Sequence, residues 1–207
     1  PRWVMEGQEK SYTQNHQETI HINMHQIFDY EKASELNPEL YKIISEYKGK
    51  PVVGGGCKTD IHLHHEGIGE LTTLLRWIGG LVPLVSHRYS NPSNDKFNHI
   101  DYLPSSDHGG GKYNFNIEAF KLVHCWGVTY NKGDGVEKHN HYPYALSFCY
   151  YVNVPEGSSP LVLDNEVIHP KEGQVVFFLG SSYHSVPSCD INGRCAVVGN
   201  IMYIDNA

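Results

Sequence analysis

EKHNHYPYALSFCYYV, residues 137–152, is the stretch on which the reading of this chain turns. His139 and His141 stand two apart on an expected strand, where alternate side chains share a face. Both imidazoles can therefore reach one ion, while Asn140 points away.

Working outward, QVVFFLGSSYHSV (174–186) reads as a hydrophobic strand ending in His184, 43 residues beyond His141. Three ligands on one side of an ion leave the opposite side open for other groups. Ten residues further, after the turn signal Asp190-Ile191-Asn192-Gly193, Arg194 begins another strand. A hairpin there brings its guanidinium back beside His184. A planar fork in that place suits a carboxylate; the plainer reading is a rim salt bridge to Asp190 or Glu172.

The surroundings of these residues set the fold class. From Ile117 the chain runs in short segments rich in Val, Tyr and Phe, broken by NKGDG, PEGSSP, HPKEG and DINGR. That spacing predicts antiparallel strands of a jelly roll or barrel. Before it, residues 1–18 are polar and unpatterned, and Thr19 to Met24 alternates like an edge strand. Asn37-Pro38, then Leu40, Ile43, Ile44, Tyr47 and Gly49, predicts a helix with an Asn cap, a first-turn proline and a glycine stop. Ile68, Leu71, Leu74, Leu75 and Ile78 predict a second helix from about Glu66 to Trp77. Residues 88–115 have no periodicity and read as a long loop. The expected architecture is mainly β: a double-stranded β-helix (jelly roll, cupin-like) core over 117–207 with an N-terminal α+β extension over 1–116, together one compact domain.

Other function classes fall away. GGGCKT (54–59) has Cys57 where a phosphate loop needs glycine directly before the lysine. The net charge of −7, without a basic block, argues against a nucleic-acid partner. No stretch approaches 18 apolar residues and no leader pattern is visible, so neither membrane span nor signal peptide is expected. Five cysteines with no CxxC pair fit reduced thiols in a cytoplasmic setting.

The set His-x-His, distal His and following Arg resembles the iron(II)- and 2-oxoglutarate-dependent oxygenases. WGVTYNKGD (126–134), HNHYPYALSFCYYVNVP (139–155), HPKEGQVVFFLGSSYHSVP (169–187) and NGRCAVVGNI (192–201) are more narrowly similar to the subgroup reading His-x-His-Pro where most relatives carry His-x-Asp. The resemblance covers about residues 124–204. It implies that His139, His141 and His184 hold Fe(II), with His141 in the carboxylate's place. It further implies that 2-oxoglutarate chelates the iron while Arg194 pairs with its far carboxylate, and that O2 takes the remaining position. The implied reaction is hydroxylation of a small-molecule or peptidyl substrate, with oxidative decarboxylation of the cosubstrate to succinate. Tyr130, Ser147 and Tyr151 are expected to line the cosubstrate pocket, Tyr130 by analogy with the strand preceding the motif and the other two by parity with the histidines.

Two other function classes stay open on the sequence: a cupin-type three-histidine dioxygenase that needs no 2-oxoglutarate, and a non-catalytic jelly-roll binding protein. His62-Leu63-His64-His65 forms a second cluster, read as solvated or hydrogen-bonded histidines with substrate contact as the alternative. His124 is expected on a strand near the core.

Overall fold

The computed structural model describes residues 25–47, 49–90 and 120–204. In chain order these form β1 (His25–Asp29), α1 (Ala33–Glu46), β2 (Lys50–Pro51), β3 (Cys57–Lys58), a 3-10 turn (Leu63–His65) and α2 (Gly69–Ser90). After residue 119 come β4 (Phe120–Tyr130), β5 (Val136–His139), β6 (Leu146–Asn153), β7 (Leu161–Leu163), β8 (Glu166–Ile168), β9 (Gln174–Leu179), β10 (His184–Val186) and β11 (Arg194–Tyr203).

Two antiparallel sheets face one another in a jelly roll. The larger has the order β1-β9-β6-β11-β4-β3-β2 and the smaller β5-β10-β7-β8. Period-two alternation sorts the large sheet's side chains between two cores. Leu146, Phe148, Tyr150, Val175, Phe177, Cys195 and Val197 face outward and pack beneath the helices. Cys149, Tyr151, Val176, Phe178, Ala196 and Val198 face inward, against Leu161, Leu163 and Val186 of the small sheet. β6 reads as a continuous apolar run rather than an alternating one because both of its faces are covered.

The first helix begins at Ala33, four residues before the expected cap, and contains Pro38. Asn37 does not cap it. The side chain is buried and bonds across to the sheet instead, accepting from Tyr150 Oη at 2.7 Å and donating to Glu172 Oε1 at 3.3 Å. Leu36, Leu40 and Ile44 form the buried stripe of α1, each fully buried aliphatic contributing about 1.5–3 kcal/mol. The second helix starts at Gly69 and continues to Ser90, well past Trp77. Leu81, Val82 and Val85 extend its buried stripe through Gly79-Gly80, so packing outweighs the roughly 1 kcal/mol that each interior glycine costs. Residues 88–90 therefore belong to α2; the rest of the expected 88–115 loop, and the expected strand at 19–24, lie outside the described residues.

Helix α1 approaches β4 closely where Gly127 leaves room: a Cβ there would stand 2.6 Å from both Cγ1 and Cγ2 of the buried Ile44. Gly127→Ala is expected to destabilise the protein by about 1–3 kcal/mol through overpacking, read as a lower urea midpoint at unchanged slope. The glycine run before β3 makes the tight turn between β2 and β3, with Gly54 at φ +106° and Gly55 at +112°.

Candidate metal centre and anion pocket

The small sheet brings two of the histidines together directly: His139, the last residue of β5, is the register partner of His184, the first of β10. His184 starts β10 instead of ending one long strand. The chain turns at Gly180–Tyr183 and passes from the large sheet, which holds β9, to the small one. His141 likewise lies beyond the end of β5 and not on it; its N–H donates to the Gly180 carbonyl at 2.7 Å. Gly180 must be small there, since a Cβ would come 2.0 Å from the Tyr144 carbonyl oxygen.

The three rings converge. Their centroids are separated by 4.3 Å (His139–His184), 4.8 Å (His141–His184) and 5.0 Å (His139–His141). One ligand nitrogen from each lies within 4.8 Å of the others. Nδ1–H of His139 donates to the Glu137 carbonyl at 2.8 Å, and Nδ1–H of His184 to the Ser182 carbonyl at 3.3 Å. Those bonds fix the tautomer that leaves each Nε2 lone pair free. Nε2 of His141 is buried without a hydrogen-bond partner.

Burial and the neighbouring imidazoles His184 and His139 push His141 down to about 3, and burial with His139 pushes His184 down to about 4. Both are neutral near pH 7, as ligands must be. Folded, the pair binds fewer protons than unfolded between the free histidine value of about 6.5 and those depressed values. The metal-free protein is therefore expected to lose stability as the pH falls from about 6.5 toward 4, and to gain nothing from this source above 6.5. Urea midpoints at a series of pH values check it.

His141 is held by a residue that the sequence reading passed over. Asn200 Nδ2 lies 3.5 Å from His141 Nδ1, and Ser147 Oγ donates to Asn200 Oδ1 at 2.9 Å. A half-turn of the amide exchanges its two ends at no cost in shape. Asn200 Oδ1 then accepts from Nδ1–H of His141 while Nδ2 donates to Ser147 Oγ, the arrangement in which His141 offers Nε2 to a metal. Asn200→Leu is expected to weaken divalent metal binding roughly 10- to 100-fold with the fold retained, measurable by equilibrium dialysis. A signal was present: residues 194, 196, 198 and 200 share one face of β11, and Asn200 is a polar residue in an apolar run.

Arg194 does not return beside His184 in a hairpin. β11 pairs with β4 and β6 in the large sheet, whereas β10 pairs with β5 and β7 in the small one. Arg194 stands on the sheet opposite His139 and His184, and it lines with all three histidines the same cavity of about 720 Å³. Arg194 is only 1% exposed. Its Nε and Nη2 have no hydrogen-bond partner, and among the described residues no carboxylate pairs with it. Asp190 and Glu172 are therefore not its partners.

Tyr130, the register partner of Arg194, flanks it with its ring centroid 4.7 Å from Cζ, and Tyr151 lies at 5.4 Å. Such cation–π contacts ease the burial of the charge without neutralising it. Burial raises both tyrosine hydroxyls above their usual range, so they stay neutral. Of the expected pocket residues, Tyr130 and Arg194 line the cavity. Tyr151 contributes its ring to Arg194. Ser147 stands behind Asn200. Trp126, His124, Tyr144, Val128, Leu161 and Phe178 supply much of the remaining wall.

No family model and no curated protein matches this sequence. Solved structures do match in three dimensions. A Pseudomonas putida prolyl-4-hydroxylase superposes with a TM-score of 0.60 at 14% identity, over 86% of this chain and 92% of that one. The fold is that of the prolyl hydroxylases. A viral collagen prolyl hydroxylase from Paramecium bursaria Chlorella virus-1, solved with 2OG, superposes with a TM-score of 0.54 at 12% identity, over 88% and 97% of the two chains. A Burkholderia pseudomallei oxidoreductase of the 2OG-Fe(II) oxygenase family gives 0.53 at 13% identity, over 89% of each. At such identities the likeness to prolyl hydroxylases is one of fold.

Proposed function

We propose that this protein is a non-haem iron(II)- and 2-oxoglutarate-dependent oxygenase that hydroxylates a peptidyl side chain, converting 2-oxoglutarate and O2 to succinate and CO2 as the substrate C–H becomes C–OH. The observation that supports this reading is a buried guanidinium with Nε and Nη2 unpartnered and no carboxylate beside it among the described residues, lining one cavity with three converging imidazoles. A buried charge without a counter-charge is costly, so Arg194 fits a site whose anion arrives with the ligand.

In this reading His139, His141 and His184 hold the metal through Nε2, with Nδ1 of His139 and His184 tied to backbone carbonyls and His141 supported by Asn200. Three neutral imidazoles bring no charge, so a doubly negative cosubstrate balances a divalent ion. Iron(II), when bound, supplies the redox chemistry by which O2 is activated. Arg194 would pair with the far carboxylate, Tyr130 and Tyr151 pack their rings against its guanidinium, and the apolar wall of Val128, Leu161 and Phe178 would exclude water.

A peptidyl substrate is favoured over a free metabolite because several of the similar structures are prolyl hydroxylases. One of them, from Trichoplax adhaerens, is in complex with a hypoxia inducible factor peptide fragment, with a TM-score of 0.53 at 14% identity over 86% of this chain and 83% of that one. A three-histidine dioxygenase that needs no 2-oxoglutarate would leave Arg194 without a ligand.

The test is to incubate the protein with Fe(II), 2-oxoglutarate and a proline-containing peptide library in air, and to follow succinate by NMR. Succinate formation that needs both iron and oxygen, and that rises with particular peptides, is expected. Oxygen consumption with no succinate would transfer the protein to the cupin-type reading, and no turnover of either kind would contradict an enzymatic role.

A further inference from the structure

Apart from the interior triad, the described residues contain a second group of metal-ligating side chains: His62, His64 and His65, each offering a nitrogen within 4.8 Å of the others. On sequence alone these are solvated or hydrogen-bonded histidines, with substrate contact as the alternative. Their environment is more specific than that.

The backbone beneath them is fixed. Leu63 is buried and anchors the turn in the helix-side core. His62 forms a parallel bridge with Cys125 of β4, and Cys125 N–H donates to the Ile61 carbonyl at 2.8 Å. The Asp60 carboxylate accepts from the His62 N–H at 2.8 Å, and the His65 N–H donates to the His62 carbonyl at 2.8 Å. One 3-10 turn, with nearly three residues per revolution, thus carries the three rings to one side of Leu63.

The rings gather instead of spreading into solvent. Centroids are 4.0 Å apart for His64–His65, 5.6 Å for His62–His65 and 5.9 Å for His62–His64. His64 Nδ1 is buried with no hydrogen-bond partner. No carboxylate accounts for the gathering: Asp60 is engaged by the backbone, and Glu66 Oε1 accepts from Tyr47 at 2.9 Å. Three protonated imidazoles at these separations would repel one another. Neutral, they offer three nitrogen lone pairs within 4.8 Å of one another, the donor set suited to zinc, copper or nickel. Two imidazole nitrogens on one zinc ion stand roughly 3.4 Å apart, and rotation of the exposed His62 and His65 side chains can close the remaining distance.

We propose that His62, His64 and His65 form a second binding site for a divalent transition-metal ion of the zinc class, distinct from the interior triad. It lies beside the cavity mouth. The His124 ring is 5.4 Å from His62, its Nδ1 is 3.0 Å from Tyr144 Oη, and both His124 and Tyr144 line the cavity. An ion with three protein ligands keeps a position open for water or for a donor group of the substrate.

The test uses the full-length, tag-free chain and Co(II), counted by elemental analysis after equilibrium dialysis, with the visible absorption of Co(II) reporting nitrogen ligation. Wild type is expected to hold two ions per chain. The exposed double variant His62→Asn/His65→Asn is expected to hold one, as is His184→Ala, which empties only the interior site. Two ions retained by the His62→Asn/His65→Asn protein would overturn the proposal. So would one ion in wild type that disappears with His184→Ala. An ion kept by His184→Ala but lost on adding the His62/His65 pair supports the outer site even if the interior triad proves not to bind metal.

Discussion

His184→Ala is expected to abolish both iron retention at the interior site and 2-oxoglutarate turnover while leaving the fold intact. His184 is buried, its Nδ1 is committed to the Ser182 carbonyl, and its ring centroid lies within 4.8 Å of both other members of the triad. Removing it leaves two imidazoles, too few to hold a divalent ion against solvent. The loss of affinity should exceed the roughly 10- to 100-fold that changes around a ligand cost. The substitution also removes a depressed-pKa base from the interior, so the variant's stability should vary less with pH between about 6.5 and 4 than that of the wild type. Dialysis against Fe(II) under anaerobic conditions, with circular dichroism as the control for folding, measures the effect. Wild-type iron content in the variant would remove His184 from the site.

Arg194→Met is expected to raise the dissociation constant for 2-oxoglutarate by roughly 30-fold or more, corresponding to the ~2–5 kcal/mol lost when one partner of a buried charge pair is truncated. Iron binding should be spared, because Arg194 stands on β11 in the large sheet whereas His139 and His184 stand on the small one. Without ligand the effect on stability has the opposite sign from an ordinary Arg deletion. The wild-type guanidinium is buried with Nε and Nη2 unpartnered, so methionine relieves a desolvated charge at the cost of the contacts to Tyr130 and Tyr151. The ligand-free variant should unfold at no lower temperature than wild type, and 2-oxoglutarate should raise the melting temperature of wild type alone. Equal thermal shifts in both proteins would contradict the anchor role.

Much of this was legible in the sequence because strands carry their chemistry at short range. The turn signals NKGDG, PEGSSP, HPKEG and DINGR lie between or beside strands, and His139, His141, His184, Tyr130 and Arg194 all line one cavity. What the sequence did not carry was the pairing between distant strands. His184 and Arg194, ten residues apart, read as one hairpin, yet the segment between them crosses from the small sheet to the large. Their meeting is a product of sheet-on-sheet packing, not of a local turn. The start of α1 differs for a similar reason: Asn37 has the chemistry of a cap, but its amide is taken by Tyr150 on β6 and by Glu172 in the turn before β9. α2 ran past the expected end because Leu81, Val82 and Val85 bury themselves on tertiary neighbours that no local pattern names. The sheet also recruits β1, β2 and β3 from the segment before residue 117: β1 and β3 pair with strands about 70 or more residues away, and β2 joins through its short hairpin with β3.

Joint binding of iron(II) and 2-oxoglutarate by three imidazoles and one guanidinium lining one cavity is the core of the proposed function. It is tested most directly by anaerobic titration of the purified protein with Fe(II) and then with 2-oxoglutarate, watching the visible metal-to-cosubstrate absorption. One equivalent of each should develop that band in wild type, with Arg194→Met needing far more 2-oxoglutarate and His184→Ala giving none. Iron bound by the wild type with no spectral or affinity response to 2-oxoglutarate would contradict the account.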